Sequence, residues 1–361
     1  MFYLLLVPLQ KYFSFLRLFQ YITFRSLYAA VTALLFVLIF GRFFIDWLRR
    51  LKFGEEVRDL GPESHKTKRG TPTMGGVIIL AAILFAVILW GNFANLYLVV
   101  LLVATLALGV LGFADDYMKS VLKRKGGMPG RTKFICQLVI GAFVSLVLYF
   151  FPSNAEISTQ LFVPFMNRAL ADLSWLWILF ATIIIVGFSN AVNLTDGLDG
   201  LASGLTLIVC VALGTITYLT GHSEISDYLR IPHVPAAAEL TVFIAALSGA
   251  LLGFLWFNTN PASVFMGDTG SLALGGTIGI LSVMIKKEIF MLLIGGVFVV
   301  EVASVIIQVG YYKLTKKRIF KMAPIHHHFE LSGWSEQKVV VRMWIFGIIL
   351  ALVGLSTLKI L

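Results

Sequence analysis

Ten apolar runs recur along these 361 residues, each close to the length a helix needs to cross a hydrocarbon layer, and they leave little room for another kind of fold. They lie at approximately 24–45, 73–92, 97–114, 134–151, 173–189, 200–219, 239–257, 270–285, 289–312 and 341–359. A spanning helix takes about 20 predominantly apolar residues, whereas a strand of a membrane barrel takes roughly 10 in alternation. The runs are continuous, so they predict an all-α polytopic membrane protein of about ten transmembrane helices. A composition of 58% hydrophobic and 13% charged residues agrees. The stretch 1–21 mixes aromatics with Lys11 and Arg17, which predicts an interfacial helix and not an eleventh span. It lacks the basic n-region and cleavage site of a secretory signal, so it reads as retained. The chain is expected to form a single membrane domain over 1–361, without internal repeats.

The connections alternate sharply in charge. Those after the first, third and ninth runs hold nineteen of the 29 Lys and Arg residues, while the opposite set holds only Arg168, Arg230, Lys286 and Lys287. Positively charged connections stay in the cytoplasm. The connections after runs one, three, five, seven and nine are therefore expected on the cytoplasmic side, with both termini on the other. The formal charge of +10 is spread between spans and not gathered in a soluble domain, so orientation and anionic headgroups account for it without nucleic acid. Cys136 and Cys210 sit inside apolar runs and read as small core residues.

Polar chemistry concentrates on the cytoplasmic set. A charge deep in hydrocarbon costs about 2.5–3.5 kcal/mol on insertion scales, so carboxylates beside a span mark its aqueous mouth or a functional site. Asp115 and Asp116 end the third run. Asn193, Asp196 and Asp199 join the fifth to the sixth, Asp268 lies between the seventh and eighth, and His326, His327 and His328 between the ninth and tenth. Carboxylates without dense Cys or His spacing suit a hard divalent cation such as Mg²⁺, and Mg²⁺ with Lys and His suits phosphoryl transfer.

Each motif also has a plainer reading. Asp196 and Asp199 on the first turn of the sixth helix would share a face near a phosphate-binding N-terminus, or would simply cap that helix. Asp115 and Asp116 diverge by about 100° on a helix, so one would face the reacting groups and the other orient a neighbour, unless both are a solvated helix end. Three consecutive histidines cannot easily converge on one tetrahedral zinc. They read as phosphate contacts or as a structural cluster. Glu301 either pairs internally or lines the site, and Gly75 and Gly76 signal close helix packing more than ligand contact. A carboxylate-gated transporter is the competing class, disfavoured because transporter sites lie near the midplane between repeats.

Taken together, six segments resemble the polyprenyl-phosphate N-acetylhexosamine-1-phosphate transferases over nearly the whole chain. They are Glu63 to Gly76, Ala114-Asp-Asp-Tyr117, Asn190 to Gly200, Phe254 to Asn258, Phe265 to Ser271 and Ala323-Pro-Ile-His-His-His328. The Pro-x-His-His-His segment favours the branch that handles muramoyl-pentapeptide. Phe188, Ser189 and Thr269 lie beside the motifs as variable positions. The resemblance implies transfer of phospho-N-acetylmuramoyl-pentapeptide from UDP-N-acetylmuramoyl-pentapeptide to undecaprenyl phosphate, giving lipid I and UMP in a bacterial inner membrane, with UDP-N-acetylglucosamine as the alternative donor. It implies Mg²⁺ at Asp268, catalytic roles for Asp115, Asp116, Asp268 and His326, and a homodimer. It places uridine contacts at Lys68, Asn193, Asp196 and Phe265. Further substrate contacts fall at Thr73, Asp199, Asn258, Gln308, His327 and His328.

Overall fold

The computed structural model describes residues 1–50, 70–124, 126–166 and 168–359. Each of the ten apolar runs is helical: α2 (Ile22–Arg50), α3 (Gly76–Trp90), α4 (Leu96–Ser120), α5 (Gly130–Phe150), α6 (Leu176–Thr195), α7 (Leu201–Gly221), α9 (Ala237–Asn258), α10 (Gly267–Met284), α11 (Glu288–Ile294) with α12 (Gly296–Thr315), and α14 (Glu336–Ser356). Short helices α1 (Phe2–Leu6), α8 (Ser223–Leu229) and α13 (Ile325–Glu330) complete the described set. Eight helices among the described residues are long and apolar enough to cross a membrane; α3 is shorter, and α10 is diluted by glycine.

Exposure is inverted relative to a water-soluble bundle. Along α2, Leu27, Val31, Leu35, Ile39, Phe43 and Trp47 are exposed at every fourth position, while Ala29, Ala33, Val37, Ile45 and Leu48 are buried. A large continuous apolar face on the outside fits contact with lipid, where apolar exposure carries no penalty. The small buried face lets α2 pack closely against α9. At the centre stands α10, whose residues from Thr269 to Met284 are all buried, against α4 and α6. It has no amphipathic stripe because it has no outer face. Small residues permit the contact: a Cβ on Gly76 would lie 2.1 Å from the Gly270 nitrogen, so α3 and α10 touch backbone to backbone. Gly76 is thus a packing residue, as its sequence context suggested.

Three expectations need correction. The run 289–312 is interrupted at Gly295, which separates α11 from α12. Hydropathy does not register a Gly-Gly pair, yet each glycine costs a helix about 1 kcal/mol relative to alanine. Residues 1–21 form α1 and two 3₁₀ turns (Val7–Lys11, Ser14–Gln20), not one helix, with Pro8 starting the second piece. That segment is fastened by Phe2 and Phe19 on Trp90 at ring separations of 5.0 and 5.8 Å. Asp196 and Asp199 lie in the α6–α7 connection and not on the first turn of α7. The left-handed Gly200 (φ 78°) delays the helix start to Leu201.

Between α5 and α6 the chain also forms an antiparallel hairpin, β1 (Gln160–Phe162) with β2 (Ala169–Asp172), paired Gln160 to Asp172 and Leu161 to Ala171. Opposite the polar motifs, Arg25 on α2 makes a buried bidentate ion pair with Glu239 on α9 at 2.5 and 2.8 Å, and donates to the Trp90 carbonyl.

Candidate active site at the carboxylate end of the bundle

The last turn of α4, the first turn of α5, the end of α6 and the start of α10 meet at one end of the bundle. Asp115 is fully buried. Its Oδ1 accepts the Met128 N–H at 2.6 Å, and its Oδ2 accepts Lys133 at 2.7 Å and Lys119 at 2.8 Å. The same ammonium groups reach Asp268 Oδ2, at 2.7 Å from Lys133 and 3.0 Å from Lys119. Asp268 Oδ1 accepts from Asn193, which also donates to Ser271. Carboxylates from α4 and α10 are therefore joined by two cations and held in place by an amide from α6.

Asp116 has a different task, as the angular divergence of adjacent helical residues predicts. Its Oδ1 accepts the Asp268 N–H at 3.0 Å, and its Oδ2 accepts both the N–H and the hydroxyl of Thr269 at 2.9 and 2.7 Å. It satisfies N–H groups of the first turn of α10, which have no partner inside that helix. Burial pushes the Asp268 carboxyl up, but its contact with Asp115 and the Lys119 and Lys133 ammonium groups outweigh that and hold it below the usual carboxylate range.

On the α3 side, the segment carrying Thr73 pairs with the one carrying Phe265: Phe265 donates to the Pro72 carbonyl, and Gly75 and Gly76 donate to the carbonyls of Phe265 and Met266, each at 2.8 Å. Thr73 is buried and Phe265 half-buried beside Asp268. Asp196, half-buried, caps the end of α6 one turn beyond Asn193.

His326 on α13 is fully buried, with Nδ1 3.0 Å from Glu301 Oε2 on α12. Glu301 therefore pairs internally, with His326. The opposite ring nitrogen, Nε2, has no hydrogen-bond partner among the described residues. It is aimed at the Asp196–Asp199 connection, where a Cβ on Gly197 would lie 2.5 Å from it. The three histidines diverge: His327 meets Glu330 at 2.8 Å, and His328 Nδ1 accepts the Lys321 N–H at 3.1 Å.

Three other residues expected as substrate contacts make hydrogen bonds within the protein. Asn258 accepts from Gly200 and Ser203 and donates to the Val264 carbonyl. Asp199 accepts from Asn260 and from the Ala262 N–H, and Gln308 clasps the backbone of Ile319 and Phe320. Lys68 lies outside the described residues.

Sequence reasoning counted Lys119 and Lys133 only as connection charges. Lys119 had a readable signal, since it follows Asp115 by four positions on one helix; Lys133 had none. Thr269 and Ser189 were set beside the motifs, yet Thr269 binds Asp116. Ser189 belongs to a buried chain in which Asn190 donates to Gln137, Gln137 to Ser189, and Ser189 to the Leu272 carbonyl. That chain fixes α5, α6 and α10 directly beneath the carboxylates.

The geometry can be set beside known proteins. Residues 98–286, from α4 to just past α10, match glycosyl transferase family 4. Residues 68–80 match signature 1 of phospho-N-acetylmuramoyl-pentapeptide-transferase. The phospho-N-acetylmuramoyl-pentapeptide-transferase of Leptospira biflexa is 50% identical over 357 residues, 96% of each chain. Proteins of the same name from Desulfosudis oleivorans and Thermodesulfovibrio yellowstonii are 49% and 50% identical, over 100% and 99% of each chain. With half of its residues shared from end to end, the chain belongs to the phospho-N-acetylmuramoyl-pentapeptide-transferase family.

Proposed function

We propose that the protein transfers phospho-N-acetylmuramoyl-pentapeptide from its UDP-linked donor to undecaprenyl phosphate, releasing UMP and forming lipid I. The observation that carries this reading is the cluster in which Lys133 and Lys119 bridge Asp115 to Asp268 while Asn193 fixes the second carboxylate. Alternating positive and negative groups of this kind suit a diphosphate and its counter-ion.

The donor set fits Mg²⁺. Asp115 and Asp268 offer hard oxygens, and the ammonium groups between them mark a position that draws positive charge. No third acidic, Cys or His side chain joins them in a metal-sized group among the described residues. Mg²⁺ commonly takes one or two carboxylates with substrate phosphates and retained waters, and does not need an all-protein cage. Asp268 would hold the ion, with Asp115 facing it. When bound, it supplies neutralisation of charge on the pyrophosphate.

The chain's own groups supply the rest. Lys119 and Lys133 bind phosphate oxygens, Asn193 and Asp116 keep Asp268 in position, and His326 Nε2, oriented through Glu301, contributes a ring nitrogen at the Gly197 side. Asp196, Phe265, Thr73 and Lys68 take the uridine end, with Phe265 stacking on the base. His327 and His328, which follow His326 on α13, are further substrate contacts in this reading. Direct attack of the lipid phosphate on the sugar-linked phosphorus is the preferred route. A phosphate monoester has a second pKa of about 6, so the nucleophile is largely dianionic near neutrality. A phosphorylated carboxylate formed from the UDP-linked donor alone, without lipid acceptor, would contradict this route.

The orientation proposed is ten crossings, the carboxylate end in the cytoplasm and both ends of the sequence on the other side of a bacterial inner membrane, supported by the distribution of Lys and Arg. A homodimer belongs to the same proposal and rests on the family resemblance alone. The test is UMP release by purified protein supplied with undecaprenyl phosphate, Mg²⁺ and either UDP-N-acetylmuramoyl-pentapeptide or UDP-N-acetylglucosamine. Turnover of the first donor only, abolished by EDTA, is the expected result. Turnover of the second donor only contradicts the assignment.

A further inference from the structure

The opposite end of the bundle carries a cationic cavity that the transfer reaction does not use. Asp268 opens α10 and Met284 closes it, which separates the two ends by roughly 25 Å at 1.5 Å per residue. Beyond Met284 come Lys286 and Lys287, both buried, at 4% and 8% exposure. Lys286 is fully engaged. It donates to Glu288 Oε1 at 3.1 Å and to the Ser158 carbonyl at 3.0 Å, and it lies 4.4 Å from the centre of the Trp177 ring. Glu288 Oε1 also accepts from the Trp177 indole. One buried carboxylate therefore faces two buried ammonium groups: its Oε1 is shared by Lys286 and the Trp177 indole, and its buried Oε2 accepts no hydrogen bond among the described residues.

Lys287 lines a cavity of about 390 Å³ enclosed by the β1–β2 hairpin, the connection after α8, the start of α11 and the chain just after α14. Arg168 and Arg230 stand on its exposed rim, none of its lining among the described residues is acidic, and Phe162, Ile231, Phe290 and Leu358 supply apolar wall. Burial pushes the Lys287 ammonium down to about 8 while Glu288 pulls it up, so it stays mostly charged at neutral pH. A buried charge is costly unless something pairs with it. Three cations around one cavity call for an anion. The volume falls in the 300–1,000 Å³ range of sites for small organic ligands, and the apolar wall would go unused by a bare inorganic ion. Phe165 and Met166, exposed at the hairpin tip, place lipid-compatible surface beside the opening.

We propose that this cavity binds the phosphate head of an anionic phospholipid from the leaflet opposite the carboxylates. Lys287 and the two rim arginines meet the phosphate oxygens, and the apolar walls take the first part of the acyl chains.

The test is thermal unfolding of the full-length protein in detergent, titrated separately with dioctanoyl-phosphatidylglycerol, dioctanoyl-phosphatidylcholine and inorganic phosphate. Phosphatidylglycerol is expected to stabilise at concentrations at least tenfold lower than phosphatidylcholine, and matched inorganic phosphate to have no effect. Lys287→Met should raise the concentration of phosphatidylglycerol required at least tenfold, Lys287→Arg should restore the response, and Asp268→Asn should leave it unchanged. Arg168→Gln with Arg230→Gln, both on the exposed rim, keeps the test decisive if Lys287→Met does not fold. An equal response to phosphatidylcholine, a response to inorganic phosphate as large as that to the lipid, or a phosphatidylglycerol response unaltered by these substitutions would each overturn the proposal.

Discussion

Lys133 is the residue on which the two carboxylates depend most directly. It is less exposed than Lys119, at 18% against 39% of the side chain, and it touches both Asp115 and Asp268. Lys133→Met is expected to lower turnover roughly a hundredfold, the effect of one lost charge contact in a transition state, and Lys119→Met by roughly tenfold. Steady-state UMP release measures both, and equal activity of Lys133→Met and wild type would exclude the role given to it. Asp116 acts through Asp268, so it should separate from it by stability. In Asp116→Asn an amide N–H group faces donors on α10, and the melting temperature should fall along with turnover. Asp268→Asn should lose turnover with a smaller change in melting temperature. The acids were legible in the sequence because charge beside an apolar run is costly and therefore conspicuous. Lys133 was not, because its place depends on α5 converging with α4 and α10. Asp199 and Asn258, expected from their motifs as substrate contacts, also tie connections together through hydrogen bonds that composition does not reveal.

At the scale of elements, α10 sets the position of Asp268, and the contact of α3 with α10 sets the position of α10. Gly76→Val would drive a side chain into the Gly270 backbone, where even a Cβ would lie 2.1 Å from the nitrogen. Because the obstacle is backbone and not a flexible side chain, the helices must separate. Activity is expected to fall more than tenfold even in protein that still purifies as a folded species, as judged by size-exclusion chromatography and helical circular dichroism. At the far end, the Arg25–Glu239 pair joins α2 to α9 and also accepts the Asn92 N–H. Glu239→Gln leaves the guanidinium buried without its counter-charge, at an expected cost of about 3–5 kcal/mol seen as a lower melting temperature. Helix positions were legible from apolar run length. The break at Gly295, the hairpin between α5 and α6, and the pieces of the N-terminal segment were not, because each is decided by local backbone propensity that hydropathy averages away.

Over the whole molecule, chemistry and lipid contact are divided between faces and ends. The outer faces of helices such as α2 are apolar and exposed, the centre is the buried α10, and polar groups gather at the two ends of the bundle. The carboxylate end was legible as a set of motifs on one side, since the charge alternation between connections assigned them a common side before any contact was known. The central claim is that the phosphorus attached to the sugar moves with it. Donor labelled with ³²P in the β-phosphate of UDP-N-acetylmuramoyl-pentapeptide measures this directly, by partition of label between lipid and water after reaction with undecaprenyl phosphate. The prediction is that label enters the lipid product in equal amount to the unlabelled UMP released, and that Asp268→Asn abolishes both. Label recovered in the aqueous phase as UDP, with sugar on the lipid, would contradict phosphosugar transfer.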